Sequence, residues 1–286
     1  LKQLVEAELV YQSGIPPQAR YLFKHALVQD TAYQSLLKSR RQQLHQQVAQ
    51  VLVEQFADTV ETQPELVAHH YTEAGLIGQA IPYWQQAGER ASKRSAHAEA
   101  ASHFTKGLEL LKALPNTPEH AQQELLLQTS LGLALMVTKG LAAPEVGQAY
   151  TRARELCQLV NETPQLLPVL FGLWRFYLVR SQLHTAREIG ERLLRLAQCA
   201  PDPMLTFSAH YALGVTWFSL GALPAARQHL EAGIARYPSD QRRTLVSRMS
   251  NDPGVGCRAN AARVLWLLGY PEQALVRAHE PSTADS

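Results

Sequence analysis

The sequence predicts an all-α fold, an α-solenoid of stacked helix pairs preceded by one small β-hairpin. Residues 205–238 form two amphipathic segments that meet at Gly221, with small residues where two helices would touch. Other stretches of the 286-residue chain repeat this layout of paired helical segments separated by short breaks. Near the beginning, two β-prone runs, 9–11 and 21–23, flank a breaker rich in Gly and Pro.

The first 57 residues are predicted to form helix, hairpin and helix in that order. Apolar residues recur at Leu1, Leu4, Val5 and Leu9 with helical spacing, and residues 25–56 are helical in pattern for most of their length. This order resembles the end of a winged-helix domain. We therefore predict a first domain over residues 1–57.

Residues 58–286 are predicted to form a second domain made of helix pairs. Most of its helices are bounded by Pro or Gly, and a polar, linker-like stretch covers 239–256. The predicted helical segments are 64–75, 79–95, 98–114, 118–138, 144–160, 165–180, 184–199, the two halves of 205–238, 258–269 and 271–279.

The pair at 205–238 carries the spacing of a known repeat. Gly214 and Ala226 would let two helix backbones approach, Trp217 would fill the gap between them, and Pro238 would end the second helix. Together with Leu213 and Leu230, these residues resemble the tetratricopeptide pattern, in which His210 stands in place of the large aromatic residue. Trp174 stands about 40 residues before Gly214, more than the usual repeat of about 34, so we expect an irregular array with longer helices.

Composition favours a protein of the reducing cytoplasm. A net charge of +2 does not call for nucleic acid or an acidic membrane as partner. Cys157, Cys199 and Cys257 are few and widely spaced, and are predicted to be small buried residues rather than disulfide partners. The most apolar run, 166–174, is too short to span a membrane. Because helical patterns are cut at both ends, we expect a piece of a longer protein.

Residues 23–45 contain a more specific set of motifs: Phe23-Lys24-His25-Ala26-Leu27, Gln29-Asp30, Ala32-Tyr33, Leu36-Leu37, Arg40-Arg41 and Leu44-His45. These motifs resemble the segment that follows the ATPase core in bacterial STAND-type ATPases. Members of that family often join a class III adenylate/guanylate cyclase domain to an AAA-like ATPase and a tetratricopeptide tail. The resemblance implies a non-catalytic sensor or scaffold segment that regulates an attached ATPase and, where present, a cyclase.

The sequence provides no catalytic, cofactor or metal site. It contains no glycine-rich phosphate loop and no G-x-S-x-G motif. His69 and His70 are adjacent, so on a helix they point about 100° apart and cannot chelate one ion. The basic residues Lys38, Arg40 and Arg41 could contact DNA phosphates, but an internal clamp on the ATPase fits the family better. We predict no enzyme activity for this segment and no cofactor.

The predicted functional surface is a groove lined by the first helix of each pair. Arg175, Arg180 and Tyr211 are the candidate groove residues, expected to be exposed, because Arg and aromatic side chains dominate binding hot spots. Trp174 and Trp217 fit core packing better. The expected partners are protein or peptide segments and the parent's own domains, with no membrane or nucleic acid. The alternatives are the solenoid of an ATPase-type transcription regulator and a free-standing repeat scaffold.

Overall fold

A computed structural model describes residues 2–15, 19–160, 163–199, 202–237 and 253–279, and confirms the α-solenoid with one small hairpin. The chain divides into two compact units, Leu1–Ala87 and Gly88–Ser286. Within the described ranges, no helix is both long and apolar enough to cross a bilayer. The predicted domain boundary at residue 57 and the winged-helix assignment stay predictions.

The first unit begins with a short helix and the predicted hairpin. Helix α1 (Lys2–Glu6) precedes strands β1 (Val10–Ser13) and β2 (Arg20–Phe23), which pair antiparallel with Val10 opposite Phe23. Val10, Tyr11, Tyr21 and Phe23 are of residue types that are enriched in strands, which suits a two-stranded ladder. Val10 is the buried residue of its strand.

The helical run predicted after the hairpin is broken once. Helix α2 (Ala26–Ser35) ends before Leu36, and α3 (Lys38–Gln55) starts after Leu37. Both leucines have non-helical backbone, with ψ of 137° and 143°, so the chain changes direction between the two helices. The remaining helices of this region are α4 (Ala57–Thr62) and α5 (Pro64–Glu73).

The later helices follow the predicted pairing closely. The polar stretch 239–256, predicted as a linker, falls mostly outside the described residues. Its last part, from Pro253, is helical and partly buried. The linker prediction is therefore wrong for that part. The helices are α6 (Ile77–Lys93), α7 (His97–Leu111), α8 (Pro118–Thr138), α9 (Pro144–Val160), α10 (Thr163–Val179), α11 (Leu183–Cys199), α12 (Pro203–Ser219), α13 (Leu223–Ile234), α14 (Pro253–Leu267) and α15 (Pro271–His279).

Each tight turn between paired helices contains one residue in the left-handed region. Between α12 and α13 this is Gly221, with φ of 79°. There the amide of Ala222 donates to the carbonyl of Trp217, so the turn satisfies a carbonyl at the helix end. Ser181 takes the same conformation between α10 and α11, with φ of 57°, although its Cβ makes this costlier than for glycine.

The first helices of successive pairs form one row within the second unit. Helix α8 contacts α10, α10 contacts α12, and α12 contacts α14, in addition to the contacts between sequence neighbours. We call these four helices the inner row. Its two central members, α10 and α12, are the most thoroughly buried helices of the row.

Small residues let the paired helices approach closely, as predicted for Gly214. A Cβ added to Gly214 would lie 2.6 Å from Cγ of Leu230 on α13, and Ala226 is fully buried beside them. A second contact of this kind joins α8 and α9, where a Cβ added to Gly132 would lie 2.6 Å from Cε2 of the Tyr150 ring. A Cβ at either glycine would come closer to the facing side chain than real Cβ atoms do, so only glycine fits these positions. The contacts therefore confirm the predicted repeat register.

The three cysteines are free, as predicted, but they differ in exposure. Cys157 and Cys257 are buried, whereas Cys199 is exposed. The prediction that all three are buried is therefore wrong for Cys199, which is the last residue of α11.

Replacing Gly214 by leucine should destabilise the second unit. The added side chain must displace Leu230 or push α12 from α13, and overpacking of this kind costs about 1–3 kcal/mol. Gln228→Ala, on the exposed face of α13, is the control and should change the free energy of unfolding by less than about 0.5 kcal/mol. Urea unfolding followed by circular dichroism measures both, and equal midpoints would show that the register is wrong.

Candidate functional site

An aromatic cluster holds α10 and α12 of the inner row together. The rings of Phe171 and Trp174 on α10 lie 4.9 Å apart, centroid to centroid, and Trp174 lies 5.6 Å from Tyr211 on α12. Trp174 is 2% exposed, and its indole N–H donates to the Thr216 hydroxyl at 2.9 Å. The hydroxyl in turn donates to the carbonyl of Ala212. A buried indole needs such an acceptor, so this bond fixes how the two helices pair.

Arg175 lies beside this cluster and is half-buried. Burial lowers the pKa of its guanidinium, and the neighbouring phenols of Tyr150 and Tyr211 act in the opposite direction. Burial also raises the pKa of both tyrosines, so all three groups keep their ordinary protonation at neutral pH. A cavity of about 20 Å³, with room for a single water, is lined by Arg175, Tyr150 and Met204 among others.

The structure places the three predicted groove residues in two different environments. Tyr211 is not exposed as expected, because its ring stacks on Phe207 and its hydroxyl approaches the backbone of Gly256 on α14. Arg175 is half-buried rather than exposed and belongs to the same cluster. These two expectations of exposure are wrong. The prediction that Trp174 packs in the core is confirmed.

Arg180 is exposed, as predicted, but it belongs to another surface. Its guanidinium lies 5.3 Å from the centroid of Phe176 and donates to the carbonyl of Ala142 at 3.2 Å. Phe176 lines an open concavity of about 440 Å³ with residues of α9. Arg152 also lines this concavity and donates two hydrogen bonds to the carboxylate of Glu124, at 2.7 and 2.9 Å. This ion pair raises the pKa of Arg152.

Sequence reasoning missed two histidine pairs. Nδ1 of His210 on α12 lies 3.1 Å from Nδ1 of His229 on α13, and burial lowers the pKa of both rings, that of His210 to about 4. In the first unit, Nδ1 of His45 lies 2.8 Å from Nδ1 of His70. In each pair one ring must donate and the other accept, so at least one is neutral. The partners are 19 and 25 residues apart, so no local motif reveals them.

The arrangement contains little that could perform chemistry. Among the residues that the structure describes, no three His, Cys, Asp or Glu side chains are placed to hold a metal ion. Burial raises the pKa of the Cys257 thiol to about 12, so this cysteine is not a nucleophile. The chemistry that the inner row offers is aromatic contact and the guanidinium of Arg175.

Comparison with known proteins gives one sequence relative. No family model matches the chain. An uncharacterized protein of Rhizobium meliloti is 26% identical over 271 residues, which are 93% of this chain and 26% of that protein. The chain thus spans about a quarter of the length of its relative.

Solved structures show the fold. The complex of NprR with its cognate peptide NprX has a TM-score of 0.53 at 12% identity, over 88% of this chain and 68% of that one. A Rap protein complexed with Competence and Sporulation Factor has a TM-score of 0.56 at 12% identity, over 88% and 73%. A kinesin light chain from Podosopora anserina with TPR-like repeats has a TM-score of 0.52 at 15% identity, over 69% and 90%. The fold is therefore tetratricopeptide-like.

The His210–His229 pair should make stability depend on pH. The folded pKa of His210, about 4, lies below the ordinary 6.5, so the unfolded chain binds more protons between these values. The stability contributed by neutral His210 is therefore complete above about pH 6.5 and is lost as the pH falls towards about 4. Arg236, which also lowers this pKa, adds to the effect.

We expect His210→Phe to unfold in urea with a weaker dependence on pH between 7 and 5 than the parent chain. His184→Phe, at an exposed position of α11, is the matched control and should keep the parent's dependence. Identical pH profiles for His210→Phe and the parent would contradict the assignment.

Proposed function

We propose that this chain is a non-catalytic helical-repeat segment that binds a protein or peptide segment along its inner row. The observation that carries the proposal is the cluster of Arg175 and Tyr211 with the rings of α10 and α12. Arginine and tyrosine are enriched among the residues that dominate binding energy. Two of the similar solved structures are complexes with a peptide or factor, which supports this class of partner.

The half-buried position of Arg175 suits recognition better than full exposure would. Because Arg175 is partly buried, its side chain has less conformational freedom to lose on binding than an exposed arginine would have. A carboxylate that reached this guanidinium would bind in a site of low dielectric, where charge-assisted hydrogen bonds are strong. We therefore expect acidic or C-terminal carboxylate groups in the bound segment.

This chain is proposed to act as a sensor or scaffold segment that regulates an attached signalling protein of the cytoplasm. The resemblance of residues 23–45 to STAND-type ATPases supports an attached ATPase, and in many such proteins a cyclase domain. That the chain spans only 26% of its Rhizobium meliloti relative supports a place within a much longer protein. Reading the adjoining coding sequence tests this: a phosphate loop and a cyclase domain support the proposal. A separate DNA-binding domain supports a transcription regulator. If the adjoining sequence encodes none of these domains, that result supports a free-standing scaffold.

Replacing Arg175 and Arg180 together by alanine should weaken partner binding. The probes are peptides selected on the parent chain from a random phage library of about 12 residues. We expect their affinity for this variant to be at least about tenfold lower than for the parent chain, which corresponds to about 1.4 kcal/mol. Arg175→Ala alone should account for most of the loss, because Arg180 lies on another surface.

The matched control is Arg192→Ala with Arg195→Ala, two arginines of α11, which is not part of the inner row. Circular dichroism confirms that each variant is folded. Unchanged affinity in the Arg175 variant, or an equal loss in the control, would show that the inner row does not bind the peptides.

The isolated chain should not bind ATP. Tight nucleotide binding generally needs a glycine-rich loop whose amides surround the phosphates, and the sequence contains none. Isothermal titration of the chain with Mg-ATP should give no saturable heat. Stoichiometric binding with a micromolar Kd would contradict the assignment of nucleotide chemistry to another part of the protein.

A further inference from the structure

Helix α2 is attached to α3 chiefly through the side chain of Tyr33. None of the ten residues of α2 is buried, so no apolar face of this helix reaches a core. A helix this short is marginal on its own in water, where about 12–15 residues are needed. Both helices are described in full, and the hydrogen bonds and ring contacts that join them all involve Tyr33. The order of α2 therefore depends largely on what Tyr33 contacts.

Tyr33 binds the ring of His45 on α3. Its phenol oxygen lies 3.0 Å from Nε2 of His45, and the two rings meet edge to face with their centroids 5.8 Å apart. The guanidinium of Arg41 lies 5.0 Å from the centroid of the Tyr33 ring. Because Tyr33 is 38% exposed, these contacts rather than burial hold it in place.

His45 is in turn bound to α5. Its Nδ1 lies 2.8 Å from Nδ1 of His70, and both rings are partly buried. One imidazole thus links three helices, since its two nitrogens reach Tyr33 on α2 and His70 on α5. All three residues lie within the first unit. We call the hydrogen-bonded series Tyr33–His45–His70 the histidine link.

The histidine link can take up one proton but not two. With both rings neutral, one Nδ1 carries a hydrogen and donates it to the other, while Nε2 of His45 pairs with the phenol. A single added proton leaves this bond intact, because the neutral ring still accepts from the charged one. A second proton puts a hydrogen on each Nδ1, so two donors of like charge would face each other across 2.8 Å. The link must then break.

The surroundings of the two rings make the second proton harder to add. Burial is the largest influence and lowers the pKa of both rings, and the charge of His69 lowers both as well. Arg41 lowers the pKa of His45, whereas Glu73 raises the pKa of both rings. Since the folded pKa values lie below the ordinary 6.5, the stability of the closed link is complete above about pH 6.5 and is lost as the pH falls.

We propose that the histidine link is an acid-sensitive latch, which holds α2 on α3 and α5 and releases it when both imidazoles are protonated. Protonation of histidine clusters is a common way to open a contact between packed elements. On release, α2 unravels and uncovers the side of α3 that carries Arg41 and His45. The latch uses no residue of the inner row, so it stands or falls independently of the proposed binding function.

Hydrogen–deuterium exchange of the whole chain, read by mass spectrometry and corrected for the intrinsic effect of pH, tests the proposal. Between about pH 7.5 and 5 the amides of α2 should lose at least about tenfold in protection, because each proton that only the open form binds shifts the equilibrium by up to about tenfold per pH unit. Helix α9, which contains no histidine, is the internal control and should keep its protection.

The decisive variant is His70→Asn, whose amide oxygen can accept from Nδ1 of His45 whether or not that ring is charged. Its α2 amides should keep their protection at the acid pH to within a few-fold. The matched control is His69→Asn, at the exposed neighbouring histidine, which should show the parent's loss. Tyr33→Phe removes the phenol and should lower the protection of α2 already at neutral pH.

Unchanged protection of α2 across this pH range in the parent chain would overturn the proposal, and so would equal losses in His70→Asn and the parent. Nitrogen NMR of isotope-labelled histidine rings tests the link without any variant. At neutral pH, one Nδ1 of the His45–His70 pair should carry a hydrogen and the other should not. Two Nδ1 atoms without hydrogen would show that the bond is absent, and the proposal would then fail.

Discussion

The close approach of paired helices at small residues is the constraint on which this fold depends. Leu230 packs against Gly214 at a distance that a Cβ on residue 214 would prevent, and Tyr150 packs against Gly132 in the same way. Such a contact fixes the rotation of each helix about its axis, because only one face carries the glycine. It therefore also decides which side chains of α8 and α12 are left to face the next helix of the inner row.

The inner row turns this local constraint into a surface. With α10 and α12 oriented by their partners, Trp174 reaches Thr216, and the rings of Phe171 and Tyr211 close around it. The guanidinium of Arg175 lies beside this cluster, where burial lowers its pKa and the nearby phenols of Tyr150 and Tyr211 act in the opposite direction. An aromatic cluster that stabilises the stack thus also positions the arginine that we propose for recognition.

Repeat register and helix pairing could be predicted from sequence because they depend on residues close in the chain. Gly214, Ala226 and Leu230 lie within one repeat, and both the hairpin and the turn at Gly221 follow from local backbone preferences. The environment of Tyr211 could not be predicted, because it is set by α10 and α14. The His210–His229 contact likewise joins two helices, and helical periodicity does not reveal which polar side chains meet.

The contacts of the second unit also determine how it would come apart. Each helix there touches its neighbours in sequence, and the inner row adds contacts only to the next helix but one. Stability in such a stack is approximately a sum of nearest-neighbour terms, so a pair at the edge can open while the others stay closed. A ligand that spans several inner-row helices would couple these local openings, and its binding would make separate pairs unfold as one cooperative body.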